Sequence, residues 1–184
     1  MTLPIYIIGS KVLRKTAVDF ELKDPEADKL IDNLYETMGK ADGLGLAAPQ
    51  AGVSKRLFVI DATSLAGDYP ELADFRKEFI NAKIIERSQE TETSNEGCLS
   101  IPGIHEDVER SSKIRIQYYD RNWEFHDETF EGISAIVMQH EHDHLDGILF
   151  TDKVSPLRKR LLKKKLQKIS KGTFSKRYKY VLGR

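Results

Sequence analysis

The run His140-Glu141-His142-Asp143-His144 constrains this chain more tightly than any other stretch. Two histidines four positions apart on a helix project their imidazoles to one side, where they can share a tetrahedral metal ion; the intervening glutamate lies close to that ion but off the ligand pair. The surrounding pattern is helical on independent grounds. From Gly132 onward, Ile133, Ile136, Val137, His140 and His144 recur at steps of three and four until Gly147 supplies a stop. The histidines therefore share an apolar face that other elements of the fold must cover. Two hydrogen-bonded core histidines would produce the same pattern, so the motif needs corroboration from elsewhere in the chain.

A hydrolytic metal keeps three protein ligands and one open position. No histidine or cysteine follows His144. Asp146 is too close along the helix, Asp152 lies past its stop and His142 faces away from the pair. The remaining soft donor is Cys98, in the stretch Asn95-Glu96-Gly97-Cys98-Leu99-Ser100-Ile101-Pro102-Gly103, where glycine among strand residues allows a ligand to approach closely. As the single cysteine, Cys98 can form no intrachain disulfide; it is an inert core thiol, a metal ligand or a reactive group. For a lone cysteine the buried structural thiol is the commoner case.

The rest of the chain sets the frame for these residues. Its 184 residues correspond to one domain, with no repeat, linker or low-complexity block. No apolar run approaches bilayer length, and the first residues lack the pattern of a signal peptide, so the expected location is the cytoplasm, with neither membrane nor DNA as partner. Asp24-Pro25 followed by Ala27, Leu30, Ile31, Leu34 and Met38 predicts a capped helix ending before Asp42-Gly43. Short β-branched and aromatic runs at 57–61, 79–85, 114–120 and about 124–130 predict mostly antiparallel strands, with Asn122 in a turn. A last helix, 156–170, sets Leu157, Leu161, Leu162, Leu166 and Ile169 against a basic side. Strands in the middle with helices around them indicate an α+β fold. The formal net charge of zero conceals an asymmetry, because residues 153–184 carry thirteen Lys and Arg and no Asp or Glu.

Three short motifs, in order, give the chain a resemblance to the peptide deformylases. They are Gly43-Leu44-Gly45-Leu46-Ala47-Ala48-Pro49-Gln50, Glu96-Gly97-Cys98-Leu99-Ser100 and Gln139-His140-Glu141-His142-Asp143-His144-Leu145. The resemblance spans most of the chain and implies hydrolysis of the formyl group from the N-terminal formyl-methionine of newly made polypeptides. It makes Cys98, His140 and His144 the ligands of one divalent ion, ferrous iron in the physiological enzyme, with Zn2+, Ni2+ or Co2+ as ions such a site also accepts. Such an ion lowers the pKa of its bound water, and Glu141 takes the water proton and passes it to the departing amine. The Gln50 side-chain amide and the Leu99 backbone N–H are the implied donors to the oxyanion. Ile133, Ile136 and Val137 precede His140 on its own helical face and should form an apolar pocket for the methionine side chain. Leu44, with Gly43 and Gly45, would form another wall, Gly45 admitting the substrate backbone closely.

Some features depart from the pattern or extend it. His105 stands where many deformylases of the Gram-negative type have arginine, and Arg110 is a candidate to compensate in contacts beyond the methionine. The stretch 63–78 is longer than in compact members and reads as a surface insertion near the substrate groove. Residues 156–184 resemble the basic helical extension with which one bacterial group docks on the ribosome, and clustered cations suit ribosomal RNA. The same helix could instead be a solvated cover for the core. Two rival readings use the same residues differently: an H-E-x-x-H endopeptidase, which has no role for Cys98 or the first motif, and a noncatalytic metal- or RNA-binding domain, which would need a fourth protein ligand.

Overall fold

The computed structural model describes residues 1–175 and 178–183. Among them, nine strands and three α-helices form one α+β domain. β1 (Ile5–Tyr6) opens the chain. The first helix, α1 (Pro25–Lys40), starts as its sequence dictates: Asp24 accepts a hydrogen bond from the Glu26 N–H at 2.9 Å and Pro25 occupies the first turn. It buries Ala27, Ile31, Leu34 and Met38.

The main sheet is antiparallel. It consists of β2 (Gly45–Ala47), β3 (Leu57–Asp61), β4 (Arg76–Arg87), β7 (Lys113–Tyr119) and β8 (Phe125–Glu131), in that spatial order. Phe58 and Phe79 are paired residues on β3 and β4, and their rings stack at 4.6 Å. Tyr118 of β7 leans on Phe79 at 4.5 Å, so three neighbouring strands meet in one aromatic seam. The missing strands of the sequence reading, β5 (Thr91–Cys98) and β6 (Ile101–Ser111), form a separate antiparallel hairpin. Polar residues dominate β5, which hides it from a reading based on hydrophobic alternation, whereas β6 alternates buried and exposed from Pro102 onward.

Between the sheet and the hairpin runs α2 (Gly132–Leu145). It is not amphipathic. Ala135, Met138 and Leu145 enter the core of the main sheet, while Gln139, Glu141, His142, Asp143 and His144 are equally buried. A helix enclosed on several sides must find an internal partner for each polar side chain.

The stretch 63–78 is tied to the core rather than laid over the groove. Leu72 is 2% exposed and packs with Leu65 and Phe75 against the main-sheet cluster. Of the region expected to be a basic helical extension, α3 (Pro156–Ser170) accounts for 156–170, with Ser155 accepting from the Arg158 N–H. The helix ends there. Farther on, β9 (Tyr180–Val181) pairs in parallel with β1, so the chain ends are zipped together. The apolar stripe expected on α3 is only partly buried: Leu162 and Ile169 enter the core, whereas Leu157 and Leu161 are 65% and 60% exposed.

The aromatic seam carries a measurable part of the stability. Phe79→Ala should cost about 3–5 kcal/mol in chemical denaturation, because a fully buried ring in contact with several others leaves a cavity that neighbours cannot fill. A loss below about 1 kcal/mol would show that the sheet repacks around the gap.

Candidate metal centre

The three donors picked out in the sequence converge although Cys98 and the histidine motif lie more than forty residues apart. Cys98 sits at the last position of β5, where the hairpin register shifts so that it pairs with Ile101 across the Leu99–Ser100 turn. The ligand atoms of Cys98, His140 and His144 all lie within 4.8 Å of one another, and Cys98 Sγ is 3.3 Å from His144 Nε2. A tetrahedral first-row ion with Zn–S and Zn–N type bonds separates such donors by roughly 3.3–3.6 Å, so the cluster has the dimensions of a metal site. A buried and a half-buried imidazole and a half-buried thiol facing one another, with no fourth protein donor in the group among the described residues, fit a divalent ion with one position left open.

His140 is held from behind. Its Nδ1 lies 2.8 Å from Glu96 Oε2, which directs Nε2 toward the cluster. Glu96 is itself gripped by Arg110, whose Nε and Nη2 donate to its two carboxylate oxygens at 2.6 and 2.8 Å. A third Arg110 nitrogen, Nη1, donates to Asp143 on α2. Burial alone would raise the Glu96 pKa, but the Arg110 guanidinium and His140 outweigh it and hold it at about 2. For His140, burial opposes the charged form, yet the neighbouring Cys98 and Glu96 prevail and its pKa lies well above the ordinary value. His144 goes the other way, pushed well down by burial and by the charge of His140.

Glu141 has no such partner. It is 4% exposed, and its Oε2 receives no hydrogen bond among the described residues. Burial pushes its pKa up to about 7. The carboxylate rests on Gly45, where an added Cβ would collide with Glu141 Oε1 and fall 2.7 Å from Cγ, so a side chain there would push Glu141 aside. Gln50 approaches from the short 3-10 turn after β2. Its Oε1 accepts from the Ala47 N–H at 2.8 Å, and its Nε2 points to Ser100 Oγ at 3.3 Å and Cys98 Sγ at 3.4 Å.

Gly43, Leu44, Gly45, Gln50, Cys98, Leu99, Ile133, Ile136, Val137, His140 and Glu141 all line one cavity of about 410 Å³. His144 is not on that surface; it lies beneath, reaching the cluster beside Cys98. His105 and Tyr178 complete the wall. Arg110 does not: its side chain is 2% exposed and committed to Glu96 and Asp143, so it cannot compensate for His105 in contacts with substrate. No residue of 63–78 lines the cavity.

The remaining histidine of the motif is structural. His142 Nε2 accepts from Arg56 Nη2 at 3.2 Å on the far side of α2, and burial holds its pKa down at about 4. A second grouping, Asp120, Glu124 and His126, belongs to the β7–β8 turn. There Asp120 accepts from the N–H groups of Asn122 and Glu124 and pairs with His126 at 3.0 Å, which accounts for the arrangement without a ligand. Glu96, Arg110 and Tyr178 were given no part in the metal site by sequence reasoning. A signal existed for Glu96, because an imidazole ligand needs an acceptor for its other nitrogen and Glu96 lies two residues from Cys98.

The family model for polypeptide deformylase matches residues 2–160. The chain belongs to the polypeptide deformylase family. It is 50% identical to the peptide deformylase of Christiangramia forsetii over 97% of this chain and 95% of that one. The Cytophaga hutchinsonii peptide deformylase is 45% identical, with 97% and 96% covered. Among solved structures, the peptide deformylase from Thermotoga maritima superposes with a TM-score of 0.76 at 40% identity, covering 85% of this chain and 99% of that one. That from Plasmodium falciparum superposes at 0.81 with 35% identity, covering 94% and 99%. Membership makes the chain a metal-dependent hydrolase acting on formylmethionyl peptides. Among the described residues no helix is long and apolar enough to cross a membrane.

The carboxylate behind His140 should govern metal affinity. Glu96→Ala is expected to weaken binding of a divalent ion about ten- to a hundredfold in chelator competition, because His140 loses the partner that fixes its tautomer and orientation. Unchanged affinity would remove Glu96 from the metal centre.

Proposed function

We propose that this protein works in the cytoplasm on nascent chains, removing the N-terminal formyl group with ferrous iron held by Cys98, His140 and His144. The observation that carries this reading is that an unpartnered buried carboxylate, Glu141, and the Gln50 amide face the same cavity beside the three donors. When bound, the ion supplies Lewis acidity to the formyl oxygen and to a water molecule. Glu141 takes the proton of the attacking water and delivers it to the departing amine nitrogen. Gln50 Nε2 and the Leu99 N–H donate to the oxyanion that develops on the formyl oxygen. The Ala47 N–H holds Gln50 by its other end, so the donor is oriented before substrate arrives.

Ile133, Ile136 and Val137 on α2 take the methionine side chain, with Leu44 opposite and Gly43 and Gly45 bordering its backbone. The thiolate ligand favours soft first-row ions, and ferrous iron next to it is open to oxidation. Zn2+, Ni2+ or Co2+ would occupy the same donors.

A second reading concerns α3. Leu157 and Leu161 are exposed on one face with Arg160, Lys164 and Lys168, none of which takes part in an ion pair among the described residues. Arg158 and Lys165, by contrast, are spent inside the molecule, on Glu106 and on the Gly103 carbonyl. This face is proposed to dock on the ribosome, its cations meeting RNA phosphates.

Two experiments follow. Protein prepared without oxygen and reconstituted with Fe2+ should release formate from a formyl-Met peptide and leave the acetyl counterpart intact; metal-replete protein inert on the formyl peptide would overturn the reading. In the same assay Gln50→Ala should be about a hundred- to a thousandfold slower, and retention of more than half the rate would remove Gln50 from the reaction. For α3, the triple variant R160E/K164E/K168E should stop co-sedimenting with ribosomes at low salt while hydrolysing a formyl-Met dipeptide normally. Co-sedimentation equal to wild type would end the docking proposal.

A further inference from the structure

Cys98 and Leu99, a metal ligand and an oxyanion donor in the proposed function, lead into and open a turn that the hairpin alone does not hold. The regular ladder of β5 and β6 ends at Gly97 and His105, and the register shift leaves Leu99 and Ser100 outside it. Their carbonyls are held from elsewhere. The Tyr178 phenol donates to the Leu99 carbonyl at 2.6 Å, and the Ile8 N–H donates to the Ser100 carbonyl at 2.9 Å. Both donors belong to one unit made from the two chain ends. Ile5 N–H bonds the Lys179 carbonyl and Ile7 N–H bonds the Val181 carbonyl, each at 2.9 Å, so the strand that positions Ile8 is paired with the tail that carries Tyr178. On the remaining sides, Gln50 donates to Ser100 Oγ, and the Leu99 side chain lies against Gly43.

We propose that Tyr178 is a positioning residue for deformylation: through its hydroxyl it fixes the Leu99 end of the Leu99–Ser100 turn, and so aims the Leu99 N–H at the reacting group. It lies beyond the residues matched by the family model, in the basic and aromatic run Lys176-Arg177-Tyr178-Lys179-Tyr180. Its ring packs against the cluster formed by Ile7, Ile101 and Phe150, which places the hydroxyl without relying on the hydrogen bond itself. Without that bond the Leu99 carbonyl loses its donor, and the Leu99 peptide is held less firmly than the Ser100 side of the turn, which Ile8 and Gln50 still anchor. Displacement of a donor by a fraction of an ångström acts on the transition state more than on substrate binding, because the oxyanion exists only there. The segment that carries Tyr178 therefore supports the active site from outside it.

This inference rests on the deformylase reading, and the test separates the two. Tyr178→Phe keeps the ring and removes the hydroxyl. Measured on a formyl-Met peptide with the Fe2+ enzyme, it should lower kcat about ten- to a hundredfold with KM within about twofold. Its melting temperature and its affinity for the ion, read by chelator competition, should match wild type. A structural role for the ring alone predicts the opposite pattern, with Tyr178→Phe normal and only Tyr178→Ala impaired and less stable. Normal kcat in Tyr178→Phe overturns the inference while leaving the deformylase reading intact, whereas an inactive wild-type enzyme overturns that reading instead.

Discussion

The buried Arg110 guanidinium ties the hairpin that carries Cys98 to the helix that carries the two histidines. It projects from β6, grips both oxygens of Glu96 on β5 and reaches Asp143 on α2, with side-chain exposures of 2%, 7% and 7%. An ion group taken out of water is tolerable only when its geometry is satisfied at every atom. Here it is, and the consequence is that hairpin and helix can meet in only one register. That register brings Cys98 to the two histidines. Glu96 then passes the constraint on to His140 through Nδ1, so one cation sets both the relative position of the ligand-bearing elements and the orientation of a ligand.

The cost of this arrangement is visible in α2. Its motif places polar side chains on all sides, and the fold answers several of them: Gln139 donates to the Ser111 carbonyl, His142 is met by Arg56, and Asp143 is met by Arg110. Glu141 Oε2 receives no such answer, and neither do the Nδ1 atoms of His142 and His144. Of the two carboxylates on this helix, Asp143 is paired and Glu141 is left without a partner facing a cavity, which marks where the chemistry acts on something outside the protein.

The two chain ends add a second layer of restraint. Parallel pairing of β1 with β9 ties the tail to the segment that binds the Ser100 carbonyl, and Tyr178 binds the neighbouring Leu99 carbonyl. Meanwhile α3 is clamped to β6 by the Arg158–Glu106 pair and by Lys165 on the Gly103 carbonyl. A region that the sequence leaves open between a docking extension and a solvated cover for the core thus braces the hairpin from outside, while leaving Leu157 and Leu161 in solvent.

The local elements were legible in the residues because local physics decides them. Asp24-Pro25 specifies a helix start, the β-branched run Leu57–Asp61 a strand, and the spacing of His140 and His144 a shared face. Family motifs carried Cys98, Gln50 and the wall around Gly45 as well. Other features depended on partners distant in sequence. Residue types do not tell that Arg110 turns inward to Glu96 rather than outward to substrate, that polar β5 pairs with β6, or that Tyr178 returns to the Leu99 carbonyl. Each of these is a contact between a polar group and one specific acceptor across the fold. Hydrophobic periodicity is silent about such pairings, and only close packing, which leaves no buried polar group free to go elsewhere, decides them.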